Sequence, residues 1–144
     1  MTNNDDTISE IIKATNSQTE VKYEAFEILK PFHKKLEEFY LSFKDQPNKQ
    51  IYYERRAKQF GLKIKQDRII GLSNQISAFL SMFLNEPHST HRYFGELLKS
   101  YGKRMFLENH SPWPYYTCGL ALVMIEEFFR DNKLFPEIKK FKYH

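Results

Sequence analysis

Apolar residues recur along most of this chain at three- and four-residue intervals, the spacing that lines one face of an α-helix. Ile8, Ile11 and Ile12 follow Thr7, with Glu10 three residues on as a capping-box partner, which predicts a first helix ending near Asn16. A short helical piece is expected from Tyr23 to Leu29 and is interrupted by Pro31, which lacks an N–H and clashes with the preceding turn. Pro31 is tolerated in a first turn, so a new helix starts there and carries Phe32, Leu36, Phe39, Tyr40 and Phe43 on one face. The stretch Asp45-Gln46-Pro47-Asn48 reads as a turn. Further on, Ile69, Leu72, Ile76, Phe79, Leu80 and Phe83 predict a helix that stops before Pro87. Ser89 or Thr90 is expected to cap the next, whose stripe is Tyr93, Phe94, Leu97, Leu98 and Tyr101 and whose end is near Gly102. A loop from Asn109 to Pro114 leads into a last helix, from about Tyr115 to Asp131. That helix is apolar nearly all round, so it is expected to be the central element, surrounded by the others.

One segment departs from this period. Gln50 to Arg56 begins with β-branched and aromatic residues, which favours a short strand, although no partner strand is apparent. The pattern predicts a mainly α fold: a single multi-helix domain with one short strand near 50–56. Residues 1–6 read as a flexible N-terminus, 7–132 as the helical domain and 133–144 as a basic C-terminal tail. A chain of 144 residues is long enough for one core, burying roughly 68–70% of its unfolded surface.

Composition narrows the class without naming a chemistry. With 41% hydrophobic and 28% charged residues, the chain is ordinary for a soluble globular domain. Its 13 Phe, 9 Tyr and single Trp fall mostly at helical spacing and read as a bulky core. The formal charge of +4 is a mild excess, compatible with nucleic acid but not diagnostic of it. The single cysteine, Cys118, excludes an internal disulfide and a cysteine-based zinc site; its apolar setting suggests a buried thiol in a reducing compartment. The polar, acidic start is unlike a signal peptide, and the run Cys118 to Ile125 is too short to span a membrane. A cytoplasmic location without membrane contact is the expectation.

Candidate chemistry is sparse. Gly-rich phosphate loops, His-Glu-x-x-His and Gly-x-Ser-x-Gly are all missing from the sequence. His88 and His91 sit three apart near Glu86, but a metal site needs three or four converging ligands, so they read as polar residues at a helix start. No metal and no cofactor are expected. Arg104 and His110 fit the loose Arg-x(4–6)-His spacing of the all-α HEPN ribonucleases, in which such a pair serves acid–base cleavage. Tyr52-Tyr53-Glu54-Arg55-Arg56 is the more informative patch. On a strand, either face would carry an aromatic ring beside a guanidinium, a pairing suited to stacking on bases and gripping phosphate. A Glu–Arg pair that fixes a connection between two helical halves accounts for it equally well. Lys58, Lys63, Lys65 and Arg68 extend the positive stretch. Asn16, Ser17 and Gln18 exceed what one helix cap requires.

These residues carry a resemblance. Ile11-Ile12-Lys13-Ala14-Thr15-Asn16-Ser17-Gln18-Thr19-Glu20-Val21, then Ile51-Tyr52-Tyr53-Glu54-Arg55-Arg56 about thirty residues later, then Phe83-Leu84-Asn85-Glu86-Pro87-His88, resemble the AIPR family, the abortive-infection phage-resistance proteins of bacteria. The likeness runs from about Thr7 to Asp131. In that family these segments follow motifs of the Asn-Asn-Gly and Asn-Gly-x-Gln-Thr kind, and often a nuclease-like region, none of which this chain carries. The resemblance implies a role in phage defence, in the C-terminal part of the family's core region, and transfers no catalytic residue. The resulting expectation is a non-catalytic nucleic-acid- or protein-binding module with a contact surface of Asn16, Gln18, Tyr53, Glu54, Arg55 and Arg56. Its partners would be nucleic acid, an upstream AIPR region or another chain, with a homo-oligomer left open. The alternative is a metal-independent HEPN-like ribonuclease using Arg104 and His110.

Overall fold

Pro31 opens helix α1, Pro31–Leu41, in a computed structural model that describes residues 7–11 and 25–131. Residues 7–11 and 25–27 are helical, as expected; the end of the first helix, Asn16-Ser17-Gln18 and the basic tail lie outside the described residues. Phe32, Leu36 and Tyr40, spaced four apart, form the inward face of α1 and are all but fully buried. Each such side chain stabilises the fold by roughly 1.5–3 kcal/mol relative to exposure.

Strand β1, Tyr52–Glu54, pairs in parallel with strand β2, Ile69–Gly71, with Tyr53 opposite Ile70. The sequence pattern assigned Ile69 to the following helix and offered β1 no partner; both readings are corrected here. A parallel pair needs a crossover of a dozen or more residues, and here residues 55–68 supply it, as turns that end in a 3₁₀ turn, Gln66–Arg68. Helix α2, Leu72–Phe83, starts directly after β2 and buries Gln75, Ile76, Ala78, Phe79 and Leu80. A 3₁₀ turn, Pro87–His91, follows, and helix α3 runs over Phe94–Tyr101. Neither Ser89 nor Thr90 caps α3: Ser89 bonds Tyr101 and Glu86, Thr90 bonds the Pro87 carbonyl, and Tyr93 holds the cap position without a side-chain bond that caps the helix. Helix α4, Trp113–Asp131, begins a little before its expected start, with Pro114 in its first turn.

The described residues are mainly α, with this one two-stranded sheet. The core lies where α2 packs along α4 and α1 closes over β1 and the start of α4. Tyr115 is its centre: its ring stacks on Phe79 at 4.1 Å and packs against Phe32 at 4.9 Å and Phe106 at 5.1 Å. The Tyr115 hydroxyl accepts a 2.7 Å hydrogen bond from the Phe106 N–H, which holds Phe106 in a left-handed conformation at φ 52°. Much of the aromatic content is core, as its spacing suggested, although Phe26, Trp113 and Phe128 are more than half exposed. Helix α4, however, is central over only half its length. Tyr115, Tyr116, Cys118, Gly119 and Val123 are buried, whereas Met124, Ile125 and Phe128 are each more than half exposed.

Candidate functional site

Alternation along β1 decides which residues of the Tyr52–Arg56 patch face outward. Tyr53 points inward and is 1% exposed, while Tyr52 and Glu54 are half-buried. The Tyr53 ring is therefore not placed for stacking on a base, contrary to its expected place on a contact surface. Its hydroxyl meets His33 Nδ1 at 2.7 Å, and His33 Nε2 meets Glu27 Oε1 at 3.0 Å. The Glu27 carboxylate only accepts, so Nε2 carries a proton; in the neutral imidazole Nδ1 then accepts from the Tyr53 O–H. Lys30 closes the chain with a 2.6 Å ion pair to the other Glu27 oxygen. This Glu27–His33–Tyr53 chain fastens the residues before α1 to β1.

Burial drives the Glu27 carboxyl pKa upward, but hydrogen bonds from His33 and Lys30 outweigh it and hold the group below its ordinary value of 4.5. A depressed folded-state pKa adds stability that is present above the unfolded value and is lost as pH falls through the folded one. The melting temperature is therefore expected to fall as the solution is acidified below about pH 4.5, and Glu27→Gln is expected to flatten part of that fall. Thermal melts of both proteins across acidic pH check this; parallel curves would remove Glu27 from the account.

Arg55 is engaged in a second fastening. Its guanidinium pairs with Glu37 of α1, and Gln59 also donates to Glu37. Gln59 Oε1 in turn accepts from the backbone N–H groups of Arg55 and Arg56. The stabilising Glu–Arg pair weighed against a binding role exists, with Glu37 rather than Glu54 as the acid. Glu54 and Arg56 are left: neither side chain has a hydrogen-bond or ion-pair partner among the described residues, and Arg56 is exposed.

Glu54, Arg55 and Arg56 line a cleft of about 450 Å³ at the C-terminal ends of the two parallel strands, together with Gly71, Ser73 and Phe94. Helix α2 starts at this cleft with no side-chain cap, and a Cβ added at Gly71 would meet nothing within 4 Å. Backbone N–H groups of an uncapped first turn are thus presented beside one free cation and one free carboxylate. The fold gathers three of the six expected contact residues into one cleft and places Tyr53 beneath it. Asn16 and Gln18 lie outside the described residues.

The other candidates are dispersed. Arg104 is exposed in the turn after α3, while His110 Nδ1 is held 2.8 Å from the Tyr115 hydroxyl; no hydrogen bond joins the two residues. His88 and His91 lie in the 3₁₀ turn rather than at a helix start, and no cluster of metal-ligating side chains occurs among the described residues. Cys118 is fully buried, and burial pushes its thiol up to about 12 against hydrogen bonds that act the other way, so it stays an inert thiol. No described helix is long and apolar enough to cross a membrane. Sequence reasoning missed Glu27, His33 and Gln75, the buried polar side chains among the described residues. His33 offered a signal: it follows Phe32 on the apolar face of α1, where a histidine needs partners on both ring nitrogens.

The described residues form a mainly helical domain with a short parallel strand pair and a cleft at the strand ends. The family model described as AIPR protein matches residues 1–117, and the chain belongs to that family. The family points to a role in abortive infection, a form of phage resistance. No curated protein and no solved structure matches the chain.

Proposed function

We propose that this chain is a non-catalytic binding module of a phage-defence protein, and that the cleft at the ends of β1 and β2 is its contact site. The carrying observation is the unpartnered pair Glu54 and Arg56 beside the uncapped start of α2. Arg55 and Arg68 are held to helices by ion pairs. Among the described residues Glu54 and Arg56 have no such partner, and both line the cleft. The partner is nucleic acid, an upstream AIPR region or another protein chain. The ribonuclease alternative lacks comparable support, because the His110 ring is engaged by Tyr115 inside the aromatic cluster.

Two measurements test this. Arg56→Ala and Glu54→Gln, introduced at the native locus, are expected to reduce phage protection, read as plating efficiency, while moving the melting temperature by no more than an exposed substitution does, within about 0.5 kcal/mol of stability. Full protection with both residues replaced would overturn the cleft. Incubation of the purified chain with labelled RNA is expected to leave it intact; cleavage abolished by His110→Ala would put the ribonuclease in its place.

A further inference from the structure

We infer that the connector between β1 and β2, residues 55–68, grips the phosphate backbone of a nucleic acid. This names the partner class and rests on the reading of the chain as a binding module. The connector holds Arg55, Arg56, Lys58, Lys63, Lys65 and Arg68 against a single acid, Asp67, so it carries six positive charges and one negative, a net +5. The whole chain carries +4, and all residues outside the connector therefore sum to −1. The entire positive excess of the protein sits in these fourteen residues.

The fold then sorts those charges. Arg55 is taken by Glu37 of α1. Arg68 is taken by Glu127 of α4 at 2.6 Å, and Asp67, the only acid, by Arg130 at 2.7 Å. Every charge near the two ends of the connector that can fasten it to a helix does so. Arg56, Lys58, Lys63 and Lys65 remain: all four are exposed, and none has a hydrogen-bond or ion-pair partner for its side chain among the described residues.

The connector is also pinned rather than loose. Lys58 and Gly61 adopt left-handed conformations, at φ 60° and 55°, which curl the chain through turns closed by the Gln59 N–H on the Arg56 carbonyl and the Gly61 N–H on the Lys58 carbonyl. The Phe60 ring packs on Tyr52 at 5.4 Å, and Gln59 holds the start to α1. The backbone that carries the cations is thus ordered before binding and loses little further entropy.

Phosphate suits this surface better than other anionic partners. It is recognised by charge alone, whereas a protein interface needs an aromatic or apolar anchor. The connector's one aromatic ring is spent on Tyr52. A lipid surface would require a broad apolar face, and the connector exposes one large apolar side chain, Leu62, at 99%.

The test is fluorescence anisotropy of the full chain with a labelled single-stranded oligonucleotide across salt concentrations. Four contacting cations predict a slope of log K against log salt between about −2 and −3. The triple variant Lys58→Gln, Lys63→Gln, Lys65→Gln is expected to bring the slope to about −1 and to weaken binding roughly tenfold or more at low salt. A control triple at exposed lysines elsewhere, Lys34→Gln, Lys99→Gln, Lys103→Gln, is expected to leave the slope unchanged, as is Leu62→Ser. Equal losses in the two triples would show diffuse attraction and overturn the connector. Absence of oligonucleotide binding by the wild type would overturn it as well; if the Arg56→Ala and Glu54→Gln variants still lost phage protection, the cleft would stand with a protein partner. Binding to phosphatidylserine vesicles that Leu62→Ser abolishes, without oligonucleotide binding, would replace nucleic acid by a membrane.

Discussion

Replacing Tyr53 with alanine is expected to destabilise the protein by about 3–5 kcal/mol, the range for removing a large buried aromatic. The ring is 1% exposed and packs between Tyr40, at 5.7 Å, and His33, at 6.0 Å. Its loss leaves a cavity in the layer where α1 covers β1. It also removes the hydroxyl that meets His33 Nδ1 and leaves that nitrogen buried without its partner. A domain of this size holds about 5–15 kcal/mol in total, so the variant would lie near the threshold of folding. Tyr53→Phe keeps the ring and removes only the hydroxyl, which is expected to cost about 1–3 kcal/mol. Urea denaturation of the three proteins checks both values through the shift in midpoint at constant slope. A folded Tyr53→Ala protein with near-native stability would return Tyr53 to the contact surface, where its neighbours in sequence had first suggested it belonged.

The second large effect is expected at Gly119. In an isolated helix, Gly→Ala is stabilising by about 1 kcal/mol. Here the added Cβ would lie 2.4 Å from the Tyr40 hydroxyl oxygen, far inside contact distance. Tyr40 has no room to retreat, since it is 1% exposed and its hydroxyl is tied to Gln75 Oε1. Gln75 is itself fixed by 2.9 Å and 3.3 Å hydrogen bonds to the Tyr115 carbonyl and Cys118 Sγ. Overpacking of this kind costs about 1–3 kcal/mol and outweighs the helical gain, so Gly119→Ala is expected to lower stability. The double variant with Tyr40→Phe removes the opposing oxygen and should be less destabilised than the sum of the two single changes. A higher melting temperature for Gly119→Ala alone would show that α1 and α4 are not in the close contact described.

Both effects trace to the same feature. The interior of this small domain is built from rings whose polar ends find partners: His33, backed by Glu27, for Tyr53, Gln75 for Tyr40, and the Phe106 N–H for Tyr115. Among the described residues Arg56 and the connector lysines have no partner, and they lie apart from these buried groups. Under the proposed function, stability and recognition draw on separate residues. Substitutions at Arg56 or at the connector lysines should change binding while leaving the core untouched.

The sequence by itself determined the helices, the aromatic core and the family. Phe32, Leu36 and Tyr40 on α1, Leu97 and Leu98 on α3 and the Pro-initiated turns are local signals, each complete within about one helical turn. The motifs Asn16-Ser17-Gln18 and Ile51–Arg56, quoted in their order, led to the family that the match over residues 1–117 establishes. The tertiary structure decided what depends on residues far apart. Ile69 and Ile70 form a strand because β1 lies beside them, and no window of neighbouring residues records that pairing. Once β1 was paired, the two-residue period of its pleat sent Tyr53 inward and Glu54 outward, which divided the most suggestive patch in the sequence between core and cleft. Burial of α4 likewise depends on which elements pack against it, so its apolar sequence alone overstated how much of it is covered. Composition showed only a small positive excess. The ion pairs that the fold makes with Glu37, Glu127 and Arg130 decided which of those charges remain free, because neutralisation is a matter of distance in space and leaves no mark along the chain.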